Sequence, residues 1–148
     1  MAKKVLVIDD DAEVGRLIEA TLKPMDLMVF QAYSGKDGLQ KAYELHPDLV
    51  ILDIMMPGMD GFDVCSRLRE MSNVPVLMLT ARSADVDILH GFNVGVDDFV
   101  KKPFKRGELE ARVRALLRRS DLNSGPPANH TTAYTDPVLE VDLQAQTV

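Results

Sequence analysis

Three stretches of the chain are apolar without interruption: Val5-Leu6-Val7-Ile8, Leu49-Val50-Ile51-Leu52 and Val76-Leu77-Met78-Leu79, each ending at a polar residue. A strand with one wet face alternates apolar and polar positions, whereas a strand covered on both faces does not, so these runs predict interior strands of a parallel sheet. Between them the period changes. Val14, Leu17, Ile18, Thr21 and Leu22 recur at helical spacing, as do Leu109, Val113, Leu116 and Leu117, and each set forms one apolar stripe. Ser34-Gly35-Lys36-Asp37 carries the signature of a capping box opening a helix through Leu45, in which the hydroxyl accepts an orphan amide and the carboxylate reaches back. Met28 to Ala32 is then the second strand and Phe99-Val100 a short fifth one, with further helices near Gly61 to Glu70 and Asp85 to Phe92. Five strand–helix units with right-handed crossovers predict a doubly wound α/β fold with a five-stranded parallel sheet and helices on both faces.

This pattern ends near residue 120. Residues 121–134 contain Asn, Ser, Gly and two Pro without apolar periodicity, the composition of a linker. Leu139, Val141 and Leu143 then alternate with Glu140, Asp142 and Gln144, as in a half-buried strand. One strand does not fold alone, so residues 135–148 are expected either to pack on the first domain, 1–120, or to begin a second domain cut off at Val148. The 148 residues are 46% apolar and 27% charged, enough for a single core without disulfides or structural metal. The lone Cys65 offers no disulfide framework, which favours a reducing, cytoplasmic setting. No apolar run approaches the length of a membrane span, so no membrane role is expected. The net charge of −6, with all 17 basic residues before position 121, argues against nucleic-acid binding through bulk charge.

In an open α/β sheet ligands bind beyond the carboxyl ends of the strands, where strand order reverses. There the sequence places Asp9, Asp10 and Asp11 after the first strand, Asp53 after the third, Thr80 after the fourth and Lys102 after the fifth. Two carboxylates about 4 Å apart repel by roughly 4 kcal/mol at an effective dielectric near 20. A hard divalent cation relieves that repulsion, and Mg²⁺ suits a site with few protein ligands and an incoming phosphate. Lys102 adds a mobile positive charge and Thr80 a hydroxyl donor, a set suited to phosphoryl transfer.

Val5-Leu6-Val7-Ile8-Asp9-Asp10-Asp11, Leu49 through Gly61 with Asp53 and Met55-Met56-Pro57-Gly58 within it, Leu79-Thr80-Ala81, and Gly95 through Phe104 with its Lys101-Lys102-Pro103-Phe104 end resemble the receiver domain of two-component response regulators, in particular the OmpR/PhoB type of transcription regulator. The resemblance covers residues 3–119 and implies the flavodoxin-like strand order 2-1-3-4-5. It also implies roles. Asp53 is expected to be the phosphoacceptor for a sensor histidine kinase. Asp10, Asp53 and the backbone carbonyl of Met55 are expected to bind Mg²⁺, for which Mn²⁺ could substitute, with Asp9 acting through water. Lys102 is expected to pair with the phosphoryl group, and the Lys102–Pro103 bond is expected to be cis. Thr80 and Phe99 are expected to carry the switch to the face built from residues 85–119, where Asp97, Asp98, Glu108, Arg112 and Arg119 match a charged homodimer interface. Such a domain is not a turnover enzyme, and only slow self-phosphorylation and autodephosphorylation are implied. DNA would be reached only through a winged-helix domain absent from this chain.

The sequence departs from that pattern in places. Phe99 stands where relatives often have Tyr, which removes a phenolic hydrogen bond from the switch. Ile88 and Asn93 replace a Lys and an acidic residue of the dimer face. Two other readings compete. A haloacid-dehalogenase-like phosphatase would use Asp9 as nucleophile with Asp11 beside it, but its Lys would precede a later acidic pair, whereas Lys102 follows Asp97 and Asp98, and Asp53 would have no role. A protein-binding module that never takes phosphate would leave Asp53 unmodified in the presence of Mg²⁺ and a small phosphodonor.

Overall fold

The computed structural model describes residues 2–81 and 93–123. The helix expected near 85–92 and the tail at 135–148 lie outside the described residues, as does most of the expected linker. The described chain runs β1 (Lys4–Ile8), α1 (Ala12–Leu22), a short 3-10 turn (Lys23–Met25), β2 (Met28–Ala32), α2 (Gly35–Leu45), β3 (Leu49–Asp53), α3 (Gly61–Arg69), β4 (Val76–Thr80), β5 (Asp98–Lys101) and α4 (Arg106–Asn123). The strands form one sheet in the order β2-β1-β3-β4-β5, and every neighbouring pair is parallel. The expected architecture and strand order are therefore observed. The last helix continues three residues past the expected start of the linker at 121.

The uninterrupted apolar runs divide their side chains between two layers. Leu6, Ile8, Val50, Leu52, Val76 and Met78 pack with Ala42 of α2 and Phe62, Val64, Cys65 and Leu68 of α3. Val5, Val7, Leu49, Ile51, Leu77, Leu79 and Val100 pack with Ile18 and Leu22 of α1 and with Leu109, Val113, Leu116 and Leu117 of α4. Successive strand residues point to opposite faces, so a strand sandwiched between helices has no position for a polar side chain until it leaves the core.

Side chains fix the helix starts. The Asp11 carboxylate accepts the Glu13 amide (2.9 Å), Ser34 Oγ the Asp37 amide (3.1 Å) and the Asp60 carboxylate the Asp63 amide (2.9 Å), each satisfying an orphan donor of its helix. At Ser34 the predicted cap is present, but the Asp37 carboxylate pairs forward with Lys41 at 3.3 Å. Lys41 also donates to the backbone carbonyl of Gln31 in the edge strand β2, at 2.7 Å.

Candidate functional site

The chain turns from β1 to β2 on one side of the sheet and then crosses to β3 on the other, so strand order reverses between β1 and β3. The carboxyl ends of those two strands carry Asp9, Asp10 and Asp53. One carboxylate oxygen from each of the three lies within 4.8 Å of the other two. Asp9 and Asp53 are buried, 2% and 4% exposed, while Asp10 faces outward. Lys102, just after β5, reaches between the buried pair: its Nζ lies 3.2 Å from Asp53 Oδ1 and 3.4 Å from Asp9 Oδ2. Residues separated by more than ninety positions thus meet at one rim of the sheet.

The backbone holds these groups in place. Asp9 donates its amide to the Ala32 carbonyl (3.1 Å) and Lys102 its amide to the Thr80 carbonyl (2.7 Å). Asp9 Oδ1 accepts the Asp11 amide at 2.9 Å. The Lys102–Pro103 bond is cis, as the resemblance implies. Thr80 is the last residue of β4 and is buried. Gly61 opens α3 against the end of β3, donating its amide to the Ile54 carbonyl at 2.9 Å. A Cβ at Gly61 would collide with the Asp53 carbonyl oxygen and would lie 2.8 Å from Ile54 Cα. That close approach is a part of the site that motif reading did not identify; its signal is the Asp60-Gly61 pair, a helix cap followed at once by a residue without a side chain.

Burial pushes the Asp9 carboxyl up to about 6, well above the usual 3.8. The Asp11 amide pulls it down, the Asp53 charge raises it and Lys102 lowers it. Burial alone would depress Lys102, but the facing charges of Asp53 and Asp9 and its hydrogen bonds to both outweigh burial and hold the ammonium above its ordinary value. Among the described residues, two buried carboxylates and a neighbouring third face one ammonium, which leaves the rim with excess negative charge and carboxylate oxygens as its candidate metal ligands. That donor set fits a hard divalent cation.

Met55 is exposed in the loop after β3, 54% accessible, and Phe99 is partly buried against the α2–α3 layer. Beside Lys102, the residues Val14, Leu17, Ala81, Pro103 and Phe104 line a mainly apolar cavity of about 430 Å³.

The residues expected to share a charged face are divided. Arg112 on α4 donates to both oxygens of Asp98 (2.9 and 2.8 Å) and lies 3.5 Å from Glu108, while Arg119 is exposed farther along the same helix. Asp97 belongs elsewhere. Its carboxylate accepts from Arg69 of α3 at 3.0 Å and from the Val76 amide at 2.8 Å. Adjacent residues at a strand point to opposite faces, so Asp98 shares the α4 side with Val100 and Asp97 the α3 side with Phe99. Arg69 was missed in the sequence because a basic residue in the last turn of a helix is ordinary. Asp11, the second carboxylate of the phosphatase reading, caps α1.

A family model of the response regulator receiver domain matches residues 5–114. A putative response regulator from Chloroflexus aurantiacus is 36% identical, over 80% of this chain and 100% of its own, with a TM-score of 0.76. The receiver domain of a Francisella response regulator is 33% identical over 80% and 98% of the two chains, TM-score 0.75. The chemotaxis protein CheY4 of Vibrio cholerae is 29% identical over 78% and 99%, TM-score 0.75. With its fold, strand order and acidic rim, the chain belongs to the response regulator receiver domain family.

Proposed function

We propose that this domain receives a phosphoryl group on Asp53 from a histidine kinase and relays the change through its α4 side. The observation that carries the reading is the meeting of Asp9, Asp10 and Asp53 within 4.8 Å, with Lys102 bridging the buried pair. An oxygen of Asp53 attacks phosphorus as the bond to the donor imidazole nitrogen breaks, leaving the electron pair on that nitrogen and an acyl phosphate on the protein. Lys102 balances the charge of the transferred group, and the Thr80 hydroxyl donates to one of its oxygens. The apolar cavity beside Lys102 gives the donor protein a surface next to the acceptor.

Mg²⁺, or Mn²⁺ in its place, would be held by Asp10, Asp53 and the Met55 carbonyl, with Asp9 acting through water. It would supply neutralisation of phosphoryl charge. Thr80 and Phe99 carry the change toward Asp98, Glu108, Arg112 and Arg119, the face through which two copies meet in an OmpR/PhoB-like regulator. Asp97, which the resemblance also places on that interface, pairs with Arg69 within the same copy. DNA is reached through an effector domain beyond this chain, and the compartment is the cytoplasm. No described helix is long and apolar enough to cross a membrane.

Mass spectrometry after treatment with acetyl phosphate and Mg²⁺ tests the assignment. One phosphoryl group is expected on the peptide carrying Asp53, and none on Asp53→Asn. Phosphate accepted by Asp53→Asn at the wild-type rate would refute it.

A further inference from the structure

At the rim opposite Asp53, one side chain joins the end of α3 to the segments that lead into β4 and β5. Arg69, the last residue of α3, donates from Nε and Nη2 to the Gly95 carbonyl (3.1 and 2.8 Å), from Nη2 to Asp97 Oδ2 (3.0 Å) and from Nη1 to the Ser72 carbonyl (3.3 Å). Asp97 in turn accepts the Val76 amide at the start of β4 (2.8 Å), and its own amide donates to the Val76 carbonyl (2.9 Å). Gly95 is shaped for this. Its φ is +100°, and a Cβ there would lie 2.8 Å from Arg69 Nε and 3.0 Å from Cγ. The arginine therefore fills the space that a side chain at 95 would occupy. One residue earlier, the buried Cys65 thiol donates to the Val94 carbonyl at 3.5 Å.

The charge-assisted fork of an arginine is among the stronger polar contacts available to a partly buried group. Here it joins the end of α3, the loop to β4, and the residues leading into β5. Thr80 and Lys102, at the far ends of β4 and β5, belong to the other rim. From this geometry we infer that the Arg69–Gly95–Asp97 clasp is a fixed anchor: residues 94–97 are held on α3 and β4, and they keep that place when the change begun at the Thr80 and Lys102 ends of the two strands passes to the α4 side. The second half of this inference rests on the phosphoacceptor reading; the first does not.

Hydrogen exchange of the full chain, read at single amides by NMR, tests both halves. In the wild type the Val76 and Asp97 amides should exchange at the same rate, within about twofold, before and after beryllium fluoride and Mg²⁺ are added, while the Thr80 and Lys102 amide resonances shift. In Arg69→Met without additive, both clasp amides should exchange at least about tenfold faster, as expected when a contact on the order of 1.4 kcal/mol is lost. Gly95→Ala should do the same by pressing on Arg69. Unchanged exchange in both variants would overturn the clasp. Faster exchange of the wild-type clasp amides on activation would overturn the anchor. Absence of any shift at Thr80 or Lys102 would instead refute the phosphoacceptor reading and with it the second half of the inference, leaving the variant arms to decide the clasp.

Discussion

The two rims of one sheet are built on opposite principles. At the N-terminal ends of β4 and β5, a cation and an anion meet with their hydrogen bonds directed at backbone groups: Arg69 to Gly95 and Ser72, Asp97 to Val76. At the C-terminal ends of β1 and β3, two buried carboxylates pair with the ammonium of Lys102 and a third carboxylate lies beside them. Like charges held together at partial burial cost stability, and a protein retains such an arrangement where it serves chemistry. Among the described residues, one rim pairs its charges, while the other holds more carboxylates than ammonium groups. The contrast teaches that ion pairs at the edge of the same core can be either fasteners or receptors, and that local charge balance separates them.

Replacements at three positions sharpen or break that contrast. Gly61→Ala should have the largest effect, because its new methyl would strike the Asp53 carbonyl where the backbone of β3 cannot yield. A loss of about 2–4 kcal/mol in urea denaturation is expected, as for other overpacked core positions. A near-neutral result would show that the receiving rim is softer than its packing indicates.

Asp9→Asn should act in the opposite direction. With the folded carboxyl at about 6 against 3.8 when free, the native state binds the proton more tightly than the unfolded chain. The wild type therefore has its full Asp9 contribution below about pH 4 and loses it as pH rises through 6. In divalent-free buffer at pH 7 the Asn variant should be more stable than the wild type by up to about 3 kcal/mol, at roughly 1.4 kcal/mol per pKa unit. The gap should close toward pH 4, and added Mg²⁺ should narrow it at pH 7 by stabilising the wild type. A wild type more stable than the variant at pH 7 without divalent ions would mean that the rim carries no excess negative charge.

Arg112→Ala removes a half-exposed pair with Asp98 and should cost under about 1 kcal/mol. Thermal denaturation at low and high salt checks it, since the wild-type advantage should shrink as salt rises. A larger, salt-independent loss would place this pair with the fasteners.

The fold was legible because sandwiched strands leave an unmistakable mark: Leu49 to Leu52 is apolar on consecutive residues only because both faces of β3 are covered. The acidic rim was legible for the same reason, since each covered strand must become polar where it leaves the core, at Asp9, Asp53 and Thr80. The clasp was not. Asp97 and Asp98 look alike as a dipeptide, and only the register of β5 sends one to Arg69 and the other to Arg112. A linear motif records which residues are neighbours and is blind to which side of the sheet each one faces. The end of α4 was misplaced because Ser120, Asp121 and Asn123 favour turns, yet the helix continues through them.

The ammonium of Lys41, seated on the Gln31 carbonyl of β2, has a bearing on how copies of this domain behave when crowded. The outer border of a sheet offers unpaired backbone groups to any passing strand. A hydrated positive charge tethered across that border occupies one acceptor and would have to be displaced before a foreign chain could dock in register. That contact works against strand addition at the β2 border.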